Sequence, residues 1–235
     1  MVMKKKEEII VYQNPDPLLV SKQGIFPGVS LLPNNEILII FSIGQAFDSS
    51  DQRPFVTKSK DNGRTWSTPK QLHNHIYGDH EETDTLKPLL LKNGSLIATG
   101  YAFIRPDPLT PIVNPISFEV LPLKNKISFS NDDGESWTKP NSFSVLEKPL
   151  ELSGPCIQLS SGRILGACPP FHLGENDHSG WIIYSDDNGK TWGKLSEFFN
   201  TPKGEIAAWE CRLCEIDNNG VAVIFWTYDN VKKIN

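Results

Sequence analysis

Apolar residues along the chain gather in short runs separated by Asn, Ser, Pro and Gly, the pattern of strands joined by tight turns. Four hairpins can be read in this way. The first joins Val29–Leu32 to Ile37–Phe41 across Pro33-Asn34-Asn35-Glu36, and the second joins Pro88–Leu91 to Ser95–Ala98 across Lys92-Asn93-Gly94. The third joins Pro155–Leu159 to Arg163–Gly166, and the fourth joins Leu213–Ile216 to Val221–Phe225. Downstream of each of the first three lies the same skeleton, Ser-x-Asp-x-Gly-x-x-Trp, at Ser59/Asp61/Gly63/Trp66, Ser130/Asp132/Gly134/Trp137 and Ser185/Asp187/Gly189/Trp192. Four fixed positions recurring three times mark an internal repeat. In each copy the Asp is expected to accept backbone N–H groups two or three residues on, and Gly to supply a left-handed step. The Trp is expected to pack across neighbouring sheet elements. The motif is therefore read as structural.

Four strands in a unit of about 50 residues is the period of a β-propeller blade. The expected fold is all-β, a propeller with blades at about 24–72, 85–146 and 152–200 and the start of a fourth at 209–235. Ile9–Tyr12 reads as a short strand ahead of the first blade. Strand order then assigns the loops to two ends. The repeated Asp turns are third-to-fourth turns and mark one end. The opposite end carries Gly44–Arg53, Arg105–Lys126 and Pro169–Gly180, with His73–Asp84, Glu147–Leu152 and Asn200–Trp209 between blades. These longer segments hold nearly every His, and long loops on a rigid scaffold are where function concentrates.

The three Ser-x-Asp-x-Gly-x-x-Trp turns resemble the Asp-box (BNR) repeats of sialidases, and the resemblance runs through almost the whole chain. It implies a six-bladed propeller, of which about three and a half blades are expected here, so the chain reads as a C-terminally truncated one. It also implies a glycoside hydrolase acting on terminal sugars of glycans, acidic or neutral, with no cofactor and no metal. The acid/base Asp of that family precedes the first Asp box by about ten residues, which falls on Asp48, with Asp51 beside it. A glycosidase needs a carboxyl that protonates the leaving oxygen. The bland alternative is that Asp48-Ser49-Ser50-Asp51 is a solvated turn. Trp209-Glu210-Cys211-Arg212 resembles the stretch whose Glu polarises a nucleophilic tyrosine, so Glu210 takes that role by resemblance. A structural ion pair with Arg212 is its alternative. Where sialidases carry Arg-Ile-Pro this chain has Ile25-Phe26-Pro27, so the first carboxylate-binding Arg is missing. Its nucleophile and remaining arginines are expected beyond residue 235. Arg53, Arg105 and Arg212, with Asp51, Asp84 and His172, remain as candidates to bind substrate.

Composition narrows the partners. The 235 residues are 38% hydrophobic and 22% charged with a net charge of −5, an acidic balance that gives no reason to expect nucleic acid. No apolar run is long enough for a membrane helix or a signal peptide, so a cytoplasmic location is expected. Cys211-x-x-Cys214 has no second pair, and in a strand the two side chains point to opposite faces, which disfavours a metal. His73–Asp84 and His172–His178 carry ligand-type residues without a standard spacing, and read as polar loops lining a sugar cleft. Two rival readings stay open: a non-catalytic carbohydrate-binding propeller, and a polysaccharide lyase using His172 or His178 as base.

Overall fold

The computed structural model describes residues 7–75, 81–117, 120–145, 151–169, 178–201, 205–216, 220–229 and 232. Among them there is no helix, and the strands form four antiparallel sheets. The first sheet runs β1 (Gln23–Leu31), β2 (Ile37–Gly44), β3 (Arg53–Ser59) and β4 (Lys70–Gln71). The second runs β5 (Glu81–Leu90), β6 (Leu96–Arg105), β7 (Leu123–Ser130) and β8 (Asn141–Phe143). The third runs β9 (Ile157–Gln158), β10 (Ile164–Cys168), β11 (His178–Ser185) and β12 (Gly193–Thr201). A two-stranded sheet of β13 (Ile206–Ile216) and β14 (Gly220–Asp229) follows. Each sheet is a simple up-and-down meander, so successive turns alternate between its two ends.

The three repeated turns join the third strand to the fourth in each four-stranded sheet and share one set of hydrogen bonds. In the first, Ser59 Oγ donates to Asp61 Oδ1 at 2.8 Å and accepts from the Gly63 amide at 2.8 Å. Asp61 also accepts from the amide and the hydroxyl of Thr65, and Trp66 Nε1 donates to the Gly63 carbonyl. The second and third copies repeat these contacts with Ser136 and Thr191 in place of Thr65. The Asp thus reaches an amide four residues on, and a hydroxyl just before the Trp is part of the motif. These bonds hold the exposed carboxylates low. Hydrogen bonds from Thr65 and Ser136 draw Asp61 and Asp132 down to about 2. Asp187 also falls to about 2, the bonds from Thr191 and Ser185 outweighing its slight burial.

The second and third turns rest on the sheet before them. Trp137 packs on a core of Leu32, Leu38, Ile40, Val56, Leu86 and Leu96, which the first and second sheets share. Trp192 packs on the core between the second and third sheets and stacks on Phe143, centroids 5.1 Å apart. Trp66 has no such sheet before it among the described residues, and lines a groove of about 810 Å³ with Tyr12, Phe55 and Arg53. At the other end the inner strands come close. A Cβ on Gly28 of β1 would meet Lys87 Cβ and Pro88 Cδ of β5 at 2.9 Å. One expectation changes. Ile9–Tyr12 is not a strand; its Ile9 and Ile10 are exposed, and Tyr12 instead covers Phe41 at 5.7 Å. Cys211 and Cys214 are both free thiols, one buried and one exposed. A β-bulge between Trp209 and Arg212 breaks the strand alternation there.

Gly134 sits at φ +79° with Leu38 Cδ1 2.3 Å from where a Cβ would stand, whereas Gly94 sits at φ +85° with nothing nearby. Both Gly→Ala changes carry left-handed strain of about 1–2 kcal/mol. Gly134→Ala adds overpacking of about 1–3 kcal/mol against a fully buried leucine. Denaturant midpoints should therefore fall further for Gly134→Ala than for Gly94→Ala.

Candidate functional site

Three non-glycine residues with left-handed backbone gather where the inner strands meet. Phe26 (φ 54°) lies in the bulge of β1 between Ile25 and Gly28, and Glu210 (φ 54°) in the matching bulge of β13 between Trp209 and Arg212. Asp48 (φ 51°) lies in the loop between β2 and β3, at the end opposite the Asp turns. Such conformations cost about 1–3 kcal/mol each and persist only where the surroundings enforce them.

The surroundings of Asp48 do enforce it. Its amide donates to Gln52 Oε1 at 3.1 Å, Gln52 Nε2 donates to the Asp84 carbonyl at 3.2 Å, and the Asp48 carbonyl accepts from Arg105 Nη2. Arg105 also donates to Thr83 Oγ1 and the Thr110 carbonyl. Arg53 Nη1 donates to the carbonyls of Ser50, Gln52 and Glu82, and its Nη2 lies 3.0 Å from His75 Nε2. Both guanidinium forks are thus turned to backbone oxygens of the loops, where they brace the segment that carries Asp48. Asp51 is held within the same loop, 2.6 Å from Lys22 Nζ and accepting from Gln45 N and Ser49 Oγ. Burial works against its charge, but these donors keep its carboxyl below the ordinary range.

The Asp48 carboxyl is different. The residue is 5% exposed, and its Oδ1 meets no hydrogen-bond donor. Burial, more than any other cause, lifts it to about 6, against the pull of Arg105 and Lys87 and with help from Glu210. Asp48 and Glu210 therefore share one electrostatic neighbourhood. Arg212 meets Glu210 Oε2 at 3.4 Å and turns Nη1 to the Cys211 carbonyl at 2.9 Å. Both partners of that ion pair are about two-fifths exposed, which leaves Glu210 accessible. Asp84 is buried, 3.7 Å from His73 Nε2 and with Oδ1 unpartnered. His172 lies outside the described residues.

Three further groups complete the cluster, and sequence reasoning passed over them. Lys87 of β5 is 3% exposed, with its Nζ 5.5 Å from the Phe26 ring centroid. Burial and then the like charge of Arg212 push its ammonium down to about 8, opposed by Glu210, Glu151 and Asp48. Glu151, ahead of β9, is half-buried as a residue. Burial first, and then Glu210, raise its carboxyl to about 8, against Lys87 and Tyr101. Burial likewise puts the Tyr101 hydroxyl well above its ordinary range. Beside them Phe47 packs on Phe26 with centroids 4.8 Å apart, and stays 67% exposed next to Asp48. A lysine inside the apolar run Leu86-Lys87-Pro88-Leu89 was a visible signal, because an ammonium is rarely buried without a role. Among the described residues no group of three ligand-type side chains could hold a metal.

No protein-family model matches the chain, and no curated protein matches it. Solved structures do. A protein of unknown function from Dyadobacter fermentans superposes with a TM-score of 0.74 at 23% identity, over 95% of this chain and 66% of that one. The leech intramolecular trans-sialidase follows at 0.67 and 15%, over 94% of this chain and 50% of that one. An ulvan lyase of polysaccharide lyase family 25 gives 0.53 at 14%, over 87% of this chain and 52% of that one. At such identities the likeness is one of fold, an all-β sialidase-like arrangement. The chain spans roughly half to two thirds of the length of these proteins.

The Asp48 carboxyl has a consequence for stability. Folded, it keeps its proton to about pH 6, whereas an unfolded aspartate loses it near pH 4. Its protonated form therefore favours folding below about pH 4, and that contribution is lost as pH rises through 6. Asp48→Asn should be more stable than the wild type by roughly 2 kcal/mol at pH 7, with the gap closing by about pH 4. Thermal unfolding across that range measures it.

Proposed function

We propose that the chain is a sialidase-like propeller glycosidase acting on terminal sugars of glycans, with its three four-stranded sheets as successive blades. Asp48 is the acid/base carboxyl, and Glu210 is the carboxylate that activates the attacking group. The observation that carries this reading is the state of Asp48. A buried carboxyl with an unpartnered oxygen, lifted to about 6 and set beside a second, accessible carboxylate, is the pair that glycosidic bond cleavage needs. Arg212, the partly open guanidinium of the three candidates, is placed to meet a polar or acidic substituent. The exposed Phe47 offers a face for a sugar ring. The sialidase-like fold agrees, because its solved examples include the leech trans-sialidase with 2,7-anhydro-Neu5Ac.

A lyase reading has its own support in the likeness to the ulvan lyase, and in a buried lysine and tyrosine at the centre. Elimination leaves an unsaturated sugar that absorbs in the ultraviolet, and hydrolysis does not, so one absorbance trace on acidic polysaccharides separates the two.

The test of the main reading is turnover of a panel of fluorogenic glycosides. Asp48→Asn should lower kcat/KM by about 10²–10⁴-fold, the usual loss for a positioned acid/base group. Glu210→Gln should lower it as well, while Asp61→Asn at the far end changes stability and leaves the rate alone. Equal rates for the wild type and Asp48→Asn would refute the assignment. If no glycoside is turned over, the non-catalytic sugar-binding reading replaces it.

A further inference from the structure

Asp48 has a left-handed backbone, and both peptide groups that flank it are held by side chains. Arg105 Nη2 donates to its carbonyl, and Gln52 Oε1 accepts its N–H at 3.1 Å. With both planes fixed, φ and ψ are fixed, and so is the direction in which the Asp48 side chain leaves the main chain. Gln52 is fully buried, and its N–H, its carbonyl and both ends of its side-chain amide are all used. Its N–H donates to the Ser49 carbonyl at 3.0 Å, and its own carbonyl accepts from Arg53 Nη1 at 2.7 Å. Its Nε2 donates to the Asp84 carbonyl of β5 at 3.2 Å, which ties the β2–β3 loop to the second sheet. A Cβ on Gly44 would stand 3.0 Å from Gln52 Cα, so the end of β2 closes on this residue as well. The two partners of its side chain are of opposite kind, an N–H and a carbonyl, and an amide set one way round satisfies both.

We propose that Gln52 is the positioning residue of the acid/base group, holding the Asp48 main chain in the left-handed turn that keeps its carboxyl out of water where the inner strands meet. This rests on the glycosidase reading of Asp48 and deepens it. Without Gln52 the Asp48 N–H loses its acceptor, and the turn loses a bond that offsets its strain. Asp48 then relaxes to the right-handed backbone that an L-residue prefers, and its carboxyl swings toward water. Only Gln52 and Arg105 reach the Asp48 peptide groups with a side chain among the described residues, while Thr83 and Arg53 hold the carbonyls of Ser49, Ser50 and Gln52 around it. Of these two, Gln52 acts without a charge of its own, so its loss changes where the carboxyl stands and leaves the charges around it as they were.

The experiment follows the Asp48 carboxyl by carbon NMR of aspartate-labelled protein, with its signal assigned by its loss in Asp48→Asn, and sets that beside turnover of the fluorogenic glycosides. In the wild type it should titrate at about 6, in the field of Arg105, Lys87 and Glu210. In Gln52→Met the midpoint should fall toward the ordinary aspartate value of about 4. In Gln52→Glu it should stay or rise, because that side chain still accepts the Asp48 N–H and adds like charge once ionised. Ser42→Ala removes the other donor to the same Asp84 carbonyl, at 3.0 Å, and should leave the midpoint where it is. A purely structural role would not separate these three. On glycosides Gln52→Met should lower kcat about 10²-fold with KM within about threefold, and should add no loss in an Asp48→Asn background. Thermal unfolding confirms that each variant folds. Should Gln52→Met not fold, Gln52→Asn, an amide too short to span both partners, takes its place with the same expected fall. If the variant titrates and turns over as the wild type does, or loses rate equally in the Asp48→Asn background, Gln52 is not the positioning residue and the glycosidase reading stands without it. If the midpoints move as expected but the wild type cleaves no glycoside, the hold on Asp48 stands and the glycosidase reading fails. A wild-type midpoint of about 4 would overturn both.

Discussion

The structure depends first on how a single carboxylate ties an eight-residue turn. Asp61, Asp132 and Asp187 each gather an amide, a hydroxyl and the serine of their own turn, and Gly134 and Gly189 of the second and third turns are pressed on the sheet before them. The bonds are local, but their result is not. They fix where the tryptophan points, and Trp137 and Trp192 set the distance and tilt between successive sheets. With that spacing repeated, the inner strands β1 and β5 are driven together until only a glycine, Gly28, fits between them. The cluster of charges at the opposite end is thus a remote product of turns that touch none of it.

How much of this can be read from sequence follows from the range of each interaction. The four hairpins and three turns were legible because every contact that makes them lies within about ten residues, where alternation and spacing record it. The hydroxyl of Thr65, Ser136 and Thr191 lay in the same window and was still passed over, because it repeats as a type and not as one residue. Ile9–Tyr12 has the composition of a strand, but composition does not supply a neighbouring edge, and the segment lies as irregular chain on Phe41.

The centre was legible only in part. Asp48 and Glu210 came from resemblance, and the structure sets them in one electrostatic neighbourhood. Lys87 and Tyr101 stand on the paired strands β5 and β6 and Glu151 ahead of β9, and the approach of Glu151 to the other two is a matter of inter-sheet geometry that no spacing encodes. The arginines show how much depends on what a side chain already holds. Arg53 and Arg105 sit at the expected end of the fold, which made them candidates for holding an anion. Donors of both go to carbonyls of Ser50, Gln52, Glu82, Thr110 and Asp48, and so brace the segment that carries Asp48. Sequence places a guanidinium at an end of a sheet; it does not say what its five donors already hold.

The two ends of the sheets treat the same side chain in opposite ways, and this divides their labour. At the turns the aspartates are open to water and surrounded by donors, so they are drawn down to about 2 and stay ionised. At the inner end Asp48 and Glu151 are taken out of water and set near one another and Glu210, so they are driven up to about 6 and about 8. A carboxylate held by donors stabilises the turn it closes. One deprived of them destabilises the fold whenever it is charged, and Lys87, pushed down to about 8, does so from the other sign. Packing alone would favour apolar residues at these central positions, since replacing buried charges by well-packed side chains is often neutral or stabilising. Left-handed backbone at Phe26, Asp48 and Glu210 adds strain at the same place. Cost from burial, from like charge and from backbone strain therefore converges on one point of an otherwise regular fold, and packing alone gives no reason for that convergence.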